Sequence, residues 1–246
     1  MLKRFSDLLN SAADNLTFVL VCIIIFAGLF FLALLAERYF IKMERYRRRS
    51  KYIAYIAMMS TVAGVLMLFE IPLFFAPPFY EIDLSELPVL ICTFALGPVA
   101  GVICELLKII IKLVIKGTTT AFVGDFANFV VGCSLVLPAS IIYHKHKSKK
   151  GAVIAMAGGT LTMTIFGSLF NAVYLIPTFS KLFRLPLDSI IAMGTAVNSN
   201  ITSLTTLVLY AVVPFNLLKG IVVSVLTFLL YKRVSGGLHM KDTYVK

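Results

Sequence analysis

Long apolar stretches alternate with short polar ones along the whole chain. Most of them approach or exceed the roughly 20 residues that a helix needs to cross the hydrocarbon core of a bilayer. The pattern predicts helices at 16–37, 52–70, 84–96, 99–116, 121–143, 151–177 and 214–232. The stretch 84–96 is only about 20 Å long as a helix, so we expect other parts of the protein to shield it. The predicted fold is therefore an all-α polytopic membrane protein.

The segment 178–213 does not follow this pattern. Residues 190–213 are largely apolar, but seven Asn, Ser and Thr side chains between 198 and 206 interrupt them. A full crossing here would place the following basic residues on the wrong side of the membrane, so we expect an outer loop that contains a helix. Pro214 then fits the first turn of the last helix, where its missing N–H group costs nothing. The alternative, a crossing by 190–213, requires a different topology.

Positive charge marks the predicted cytoplasmic side. Basic residues cluster at 38–51, at 144–150 and at Lys232 and Arg233, and short Lys/Arg-rich loops face the cytoplasm and its anionic lipids. The chain between the two basic loops must then cross the membrane an even number of times. Four crossings there and two after them give a six-helix core, and the helix at 16–37 precedes it with residue 1 outside.

Composition agrees with a membrane protein. Hydrophobic residues make up 59% of the 246 positions, charged residues make up 14%, and the mean hydropathy is +0.94, whereas soluble domains are roughly half apolar and a quarter charged. The net charge of +11 is explained by topology, so we expect no nucleic-acid partner. We divide the chain into an N-terminal helix with a basic linker (1–51), a core (52–235) and a cytoplasmic tail (236–246).

No recognisable catalytic or metal motif is present. The three histidines lie in basic stretches, and the sequence contains no HExxH, GxSxG or GxxxxGK[ST] pattern. The four cysteines lie within apolar segments without CxxC spacing, which is typical of small buried side chains. We therefore expect neither an enzyme nor a metal site, and any uphill transport must draw its energy from another chain or from an ion gradient.

Charged residues inside one predicted helix are unusual. Glu105, Lys108 and Lys112 are spaced to share one helix face, and each charge is costly at the centre of a bilayer. That face must therefore point into the protein or into a wet cavity. The sequence allows two interpretations: an internal ion pair that fixes helix packing, or direct contact with a ligand.

A second polar set lies near the predicted outer end. Asn171 comes late in its helix, and Asn216 and Lys219 lie one turn apart in the opening of the last helix, next to the positive end of its dipole. Amide donors and acceptors with a cation suit a neutral, carbonyl-rich heterocycle. Helix capping and a lysine that reaches the interface explain the same residues equally well.

Aromatic and small residues leave similar alternatives open. The loop 71–83 contains Phe74, Phe75, Phe79 and Tyr80, which either stack on a planar ring or form an ordinary interfacial belt. Small residues four apart favour close helix packing, within the chain or with a partner. These pairs are Gly97 and Gly101, Ser60 and Gly64, and Ala57 and Thr61.

Several motifs, in this order along the chain, resemble those of the riboflavin-binding S components of energy-coupling factor (ECF) transporters. The motifs are YEIDLSELP (80–88), FALGPVAG (94–101), ELLK (105–108), GTTTAFVG (117–124), ANF (127–129), the Asn171 segment FNAVY (170–174) and PFNLLKG (214–220). The resemblance covers about 52–235. It implies a six-helix fold with both core termini in the cytoplasm, and a vitamin held near the outer face.

The resemblance also implies partners and site residues. The partners are a transmembrane coupling subunit and two ATPases in the cell membrane of a bacterium, and the ligand is riboflavin or FMN, with no cofactor. The implied ligand-binding residues are Asn171, Asn216, Lys219, Asp83, Leu84, Phe79, Tyr80, Asn128 and Tyr174. The implied contacts with the coupling subunit are Ala57, Ser60, Thr61 and Gly64.

Two features depart from the six-helix pattern. The helix at 16–37 lies outside it, and the loop 178–213 is long, which leaves riboflavin and a phosphorylated flavin equally possible. Three other functions remain alternatives: an S component for another vitamin or precursor, a membrane enzyme acting on lipids or prenyl groups, and a structural subunit. The enzyme predicts acidic clusters within the membrane, whereas Glu105 is the only acidic residue deep in the predicted core helices.

Overall fold

The computed structural model describes residues 16–41, 49–118, 120 and 122–238. Half of the basic linker (42–48) and the end of the tail (239–246) lie outside these residues. The helices are α1 (Leu16–Leu35), α2 (Arg49–Leu66), α3 (Glu86–Leu96), α4 (Pro98–Ile115), α5 (Val123–Lys145), α6 (Lys149–Phe170), α7 (Ile176–Phe183), α8 (Leu187–Thr195), α9 (Leu204–Leu207) and α10 (Val213–Leu238). A small antiparallel hairpin pairs β1 (Ile71–Pro72) with β2 (Glu81–Ile82).

Three π-helical segments occur among these residues: Ala36–Ile41 after α1, the first π-turn (Asn171–Leu175) and the second π-turn (Val208–Val212). The two π-turns join their flanking helices into continuous helical runs, and each lies just ahead of a proline, Pro177 or Pro214. A proline cannot donate to the helical hydrogen-bond ladder, and a π-turn is one way to shift that ladder locally.

The last helical run therefore begins at Leu204 rather than at Pro214. The prediction that Pro214 opens the last helix is wrong, because the second π-turn carries the helix through the proline. The expected outer loop with its own helix corresponds to α8 and its flanks, and the apolar residues from 204 to 213 belong to the last helical run.

Within the part of the chain that the structure describes, four helical segments have the length and hydropathy of a membrane crossing. They are Leu20–Tyr39, Val123–Lys145, Lys149–Lys181 and Leu204–Leu230. Of the remaining core helices, α2 and α3 are apolar but shorter, and α4 contains Glu105, Lys108 and Lys112. The prediction of an all-α membrane protein with six core helices and one additional N-terminal helix is confirmed.

Helix α3 occupies the centre of the bundle. It contacts α2, α4, α5 and α10, and every one of its residues except Ala95 is buried. The surrounding helices thus shield this short segment from lipid, as its length required. Helix α1 packs on the outside of α4 and α5. We call the end of the bundle that holds the α5–α6 loop the basic end, and the opposite end, with the hairpin and α8, the outer end.

Candidate ligand-binding site

A cavity opens at the outer end between α5, the first π-turn, α10 and the loop that follows β1. Its volume is about 840 Å³ when the space that opens to solvent at its mouth is included. Six residues singled out in the sequence line it: Phe79, Tyr80, Asn128, Asn171, Asn216 and Lys219. Residues from distant parts of the sequence thus line one cavity.

The first π-turn begins at Asn171, whose side chain is held on both sides. The Tyr80 hydroxyl donates a hydrogen bond to Asn171 Oδ1 at 3.0 Å, and Asn171 Nδ2 donates to the Gly167 carbonyl oxygen at 2.8 Å. An amide has two N–H groups and two acceptor positions. One donor and one acceptor position of Asn171 therefore remain for a ligand, in a fixed orientation.

Two further amides line the cavity. Asn216 Nδ2 lies 3.4 Å from Ser168 Oγ, and Asn128 Nδ2 donates to Asp83 Oδ2 at 3.3 Å. The carbonyl oxygen of the Asn128 side chain is buried and has no hydrogen-bond partner among the residues that the structure describes. Because a buried polar atom without a partner is costly, this oxygen is a natural acceptor for a ligand N–H group.

Five buried charged residues form a continuous chain behind the amides, which we call the charge chain: Asp83, Lys219, Glu86, Lys108 and Glu105. Lys219 Nζ lies 3.1 Å from Asp83 Oδ2 and 3.0 Å from Glu86 Oε1. Lys108 Nζ lies 3.2 Å from the same Glu86 oxygen and 2.7 Å from Glu105 Oε2. Of the five, only Lys219 lines the cavity. The chain thus links the cavity to the middle of α4.

A second ion pair on α4 is separate from the charge chain. Lys112 Nζ lies 2.6 Å from Asp125 Oδ1 at the start of α5, and both side chains are buried. Neither residue lines the cavity. Of the two interpretations of the charged face of α4, the structure therefore favours internal ion pairs, since none of its three charged residues reaches the cavity.

Asp83 lies between β2 and α3 and stays ionised. Burial raises the pKa of its carboxyl. The ammonium groups of Lys219 and Lys108 and the hydrogen bonds from Ser85 lower the pKa by more than burial raises it. The pKa therefore lies well below its usual range. The Ser85 backbone N–H donates to Asp83 Oδ1 at 2.8 Å, which leaves the other carboxylate oxygen for Lys219 and Asn128.

Aromatic side chains form the wall toward the outer end. The rings of Phe79 and Phe179 stack with centroids 5.7 Å apart, and the ring of Tyr80 lies 5.1 Å from that of Phe215. Ile190 of α8 also lines the cavity and is almost fully buried. The outer loop thus packs over the cavity and joins flat aromatic surfaces to the amide wall.

The other predicted ligand residues lie around the cavity rather than in its lining. Asp83 lies behind Lys219 and Asn128, and Leu84 follows it as a half-buried residue. Tyr174 stacks on Phe170 at 5.4 Å and packs among residues of α1, α4 and α5. Lys219 lies about four turns after Leu204, so the expected position of Asn216 and Lys219 beside a helix N-terminus is wrong.

The small residues of α2 divide between two faces. Ser60 and Gly64 are buried, and a methyl group added at Gly64 would collide with the Ile111 side chain of α4. Ala57 and Thr61 are exposed. The first two residues therefore serve packing within the chain, and only the second two are open to a partner.

Sequence reasoning missed Glu86, Phe179 and Ile190. An acidic residue at the start of a helix is usually explained by the helix dipole, so nothing in the sequence singled out Glu86 as a bridge between two lysines. Phe179 and Ile190 lie in the segment predicted as a loop, where apolar residues carry no periodic signal. Their place in the cavity lining, with Ile190 almost fully buried and Phe179 partly buried, is the only sign of their role.

The fold and the cavity define a class: a helical membrane protein that encloses a small-molecule cavity at one end. The sequence model of the family described as "ECF transporter, substrate-specific component" matches residues 51–231. The chain therefore belongs to the substrate-specific (S) components of ECF transporters, a family of transporters rather than enzymes.

Curated relatives and a solved structure agree with this family. The riboflavin transporter FmnP of Bacillus subtilis is 33% identical over 182 residues, which are 74% of this chain and 90% of that protein. The riboflavin transporter RibU of Staphylococcus aureus is 34% identical over 191 residues, 78% of this chain and 94% of that protein. A solved S component of a bacterial ECF transporter superposes with a TM-score of 0.62 at 32% identity, covering 78% of this chain and 99% of that one.

Proposed function

We propose that this protein is the riboflavin-binding subunit of an ECF-type importer in a bacterial cell membrane. It binds riboflavin or a close flavin in the outer cavity, and partner subunits that split ATP drive uptake. One observation carries this proposal: a single cavity is lined by three amides, a lysine and several aromatic side chains. The polar residues are Asn128, Asn171, Asn216 and Lys219.

The polar groups of this wall complement the edge of a flavin. The pyrimidine ring of a flavin presents two carbonyl oxygens on either side of one N–H group. The unpartnered oxygen of Asn128 can accept from that N–H group, and the free amide N–H groups of Asn171 and Asn216 can donate to the carbonyl oxygens. Phe79 and Phe179 supply apolar surface for the fused rings. Both curated relatives described above are riboflavin transporters.

Riboflavin binding by the purified protein tests this proposal directly. Riboflavin fluorescence should be quenched on binding, and Asn216→Ala should weaken binding about 10- to 100-fold, because one buried hydrogen-bond partner is lost. The matched control is Asn200→Ala, since Asn200 is exposed in the outer loop and does not line the cavity.

The same titration separates the alternatives. FMN and a panel of other vitamins, measured by competition, distinguish a flavin site from a site for another compound. If riboflavin fluorescence does not change, or if Asn216→Ala and Asn200→Ala bind it equally well, the proposed ligand or its proposed site is wrong.

We further propose that the exposed face of α2 contacts the transmembrane coupling subunit. Ala57 and Thr61 lie on that face with Ala54 and Met58, and small exposed residues permit close helix approach in membranes. Ala57→Leu should weaken assembly with the coupling subunit and the two ATPases, measured by co-purification, without changing riboflavin binding by the isolated chain. Undiminished co-purification would exclude this face.

A further inference from the structure

Helix α1 lies outside residues 51–231, the part of the chain that matches the family model. One face of this helix nevertheless packs against the core of the protein. Ala33 and Ala36 are buried, while Phe31 on the opposite face is 59% exposed. Half-buried Phe26 and Phe30 belong to the same apolar cluster as Val102 of α4 and Phe129 of α5. The helix is therefore packed against the bundle along one side and faces lipid along the other.

The π-helical segment Ala36–Ile41, which continues α1 toward the basic end, is fixed to α4 by a hydrogen bond. The backbone N–H group of Val99, in the first turn of α4, donates to Glu37 Oε1 at 3.2 Å. The first N–H groups of a helix have no partner within the helix, and a carboxylate there is favoured by the helix dipole. Glu37 thus satisfies an N–H group that lipid could not, and it fixes the axial position of α1.

The middle of α1 lies behind the amide wall of the cavity. The ring of Phe26 lies 5.7 Å from that of Phe129, which directly follows the cavity residue Asn128 in α5. The same apolar cluster contains Tyr174 and Leu175 of the first π-turn, which begins with the cavity residue Asn171. Residues of α1 therefore pack behind two elements whose other faces line the cavity.

We propose that α1 is a positioning element of the ligand site, which holds α5 and the first π-turn so that Asn128 and Asn171 keep their orientation toward the ligand. A π-turn lacks the regular ladder of an α-helix and depends on packing for its geometry. A site that is held in place before binding loses less free energy in ordering when the ligand binds. This inference rests on the proposed function, because flavin affinity is its readout.

Phe26→Ala and Phe31→Ala form a matched pair for the test, since they remove the same side chain from opposite faces of one helix. In the full chain, Phe26→Ala should raise the riboflavin Kd about 5- to 10-fold through faster dissociation. Phe31→Ala should leave Kd unchanged. Both are measured by fluorescence quenching and stopped flow well below the thermal midpoint of the variants, so that unfolding does not contribute.

The outcomes are distinct. If wild-type protein does not bind riboflavin, the proposed function fails and this inference falls with it. If wild-type protein binds and Phe26→Ala has the same Kd, even with a lower Tm, then α1 only stabilises the fold and the inference alone is overturned. An equal loss in both variants also overturns it. Should Phe26→Ala fail to fold, Phe26→Leu with Phe31→Leu as control decides the question by the same criteria.

Discussion

Two groups of buried ions lie one turn apart on α4 and differ in what they touch. Lys108 belongs to the charge chain, which reaches the cavity through Lys219, whereas Lys112 pairs with Asp125 of α5. Both lysines are buried, and each lies within about 3 Å of a carboxylate. The two lysines therefore differ in what their contacts connect: Lys108 is linked through Glu86 and Lys219 to the cavity, whereas Lys112 joins α4 to α5.

The two groups also differ in their balance of formal charge. The charge chain contains three carboxylates and two ammonium groups, whereas the Lys112–Asp125 pair is balanced. Because Lys219 contacts both Asp83 and Glu86, its removal would leave two buried carboxylates with less compensation. We therefore expect changes in the charge chain to alter ligand affinity, and changes in the Lys112–Asp125 pair to alter stability.

Replacing the two lysines should give the largest contrast. Lys219→Met should weaken riboflavin binding about 100-fold, because Lys219 lines the cavity and a hydrogen bond from a charged donor to the ligand is worth about 1.5–3 kcal/mol. The loss of its contacts with Asp83 and Glu86 should lower the Tm as well. Lys112→Met should lower the Tm but keep Kd within about 3-fold of wild type, since Lys112 does not line the cavity. Fluorescence titration and thermal unfolding of both variants check this. Equal effects of the two substitutions on Kd would contradict the distinction.

The fold was largely predictable because few kinds of backbone structure can cross a bilayer. Each crossing needs a long apolar run and a satisfied backbone, so the helices and their order follow from hydropathy. Lys108 and Lys112 could be placed inside the protein for the same reason. The sequence did not predict the second π-turn. A proline followed by apolar residues is typical of the first turn of a helix, so Pro214 indicated a helix start rather than a position inside a helix.

The site was only partly predictable, because its contacts join distant residues. Asp83 and Lys219 are 136 residues apart in the chain, and no local pattern in a single sequence reveals such a pair. The amides Asn171 and Asn216 stood out because they interrupt apolar helices. Glu86 did not stand out, since an acidic residue at a helix start has an ordinary explanation.

Glu86 should have an intermediate effect on binding. Glu86→Gln keeps the shape of the side chain but removes the charge that holds Lys219 Nζ at 3.0 Å, so we expect riboflavin Kd to rise about 10-fold. Glu105→Gln is the matched control, since Glu105 pairs with Lys108, whereas Lys219 pairs with Asp83 and Glu86. It should change Kd less than about 3-fold.

A double-mutant cycle shows whether Glu86 acts through Lys219. If it does, Glu86→Gln should add little to the loss already caused by Lys219→Met. Fully additive losses would mean that Glu86 supports the fold by another route, and a larger effect of Glu105→Gln than of Glu86→Gln would reverse the proposed order along the charge chain.

The smallest expected effect is that of pH on the Asp83 contact. The pKa of Asp83 lies well below its usual range because of the nearby ammonium groups. A carboxyl whose pKa is lowered on folding contributes its stabilisation above its unfolded pKa of about 4, and loses it only as the pH falls below that value. The ratio of the riboflavin Kd values of Asp83→Asn and wild type should therefore stay constant from about pH 8 to pH 5.

The ratio is the right quantity because other groups near the cavity titrate in both proteins. Glu81 lines the cavity mouth, and partial burial and the neighbouring Glu70 carboxylate raise the pKa of its side chain. Its protonation affects wild type and Asp83→Asn alike and largely cancels in the ratio. A ratio that falls toward one between pH 7 and pH 5 would mean that Asp83 takes up a proton there. In that case Lys219 would not hold Asp83 in its ionised form, and the outer end of the charge chain would have to be assigned differently.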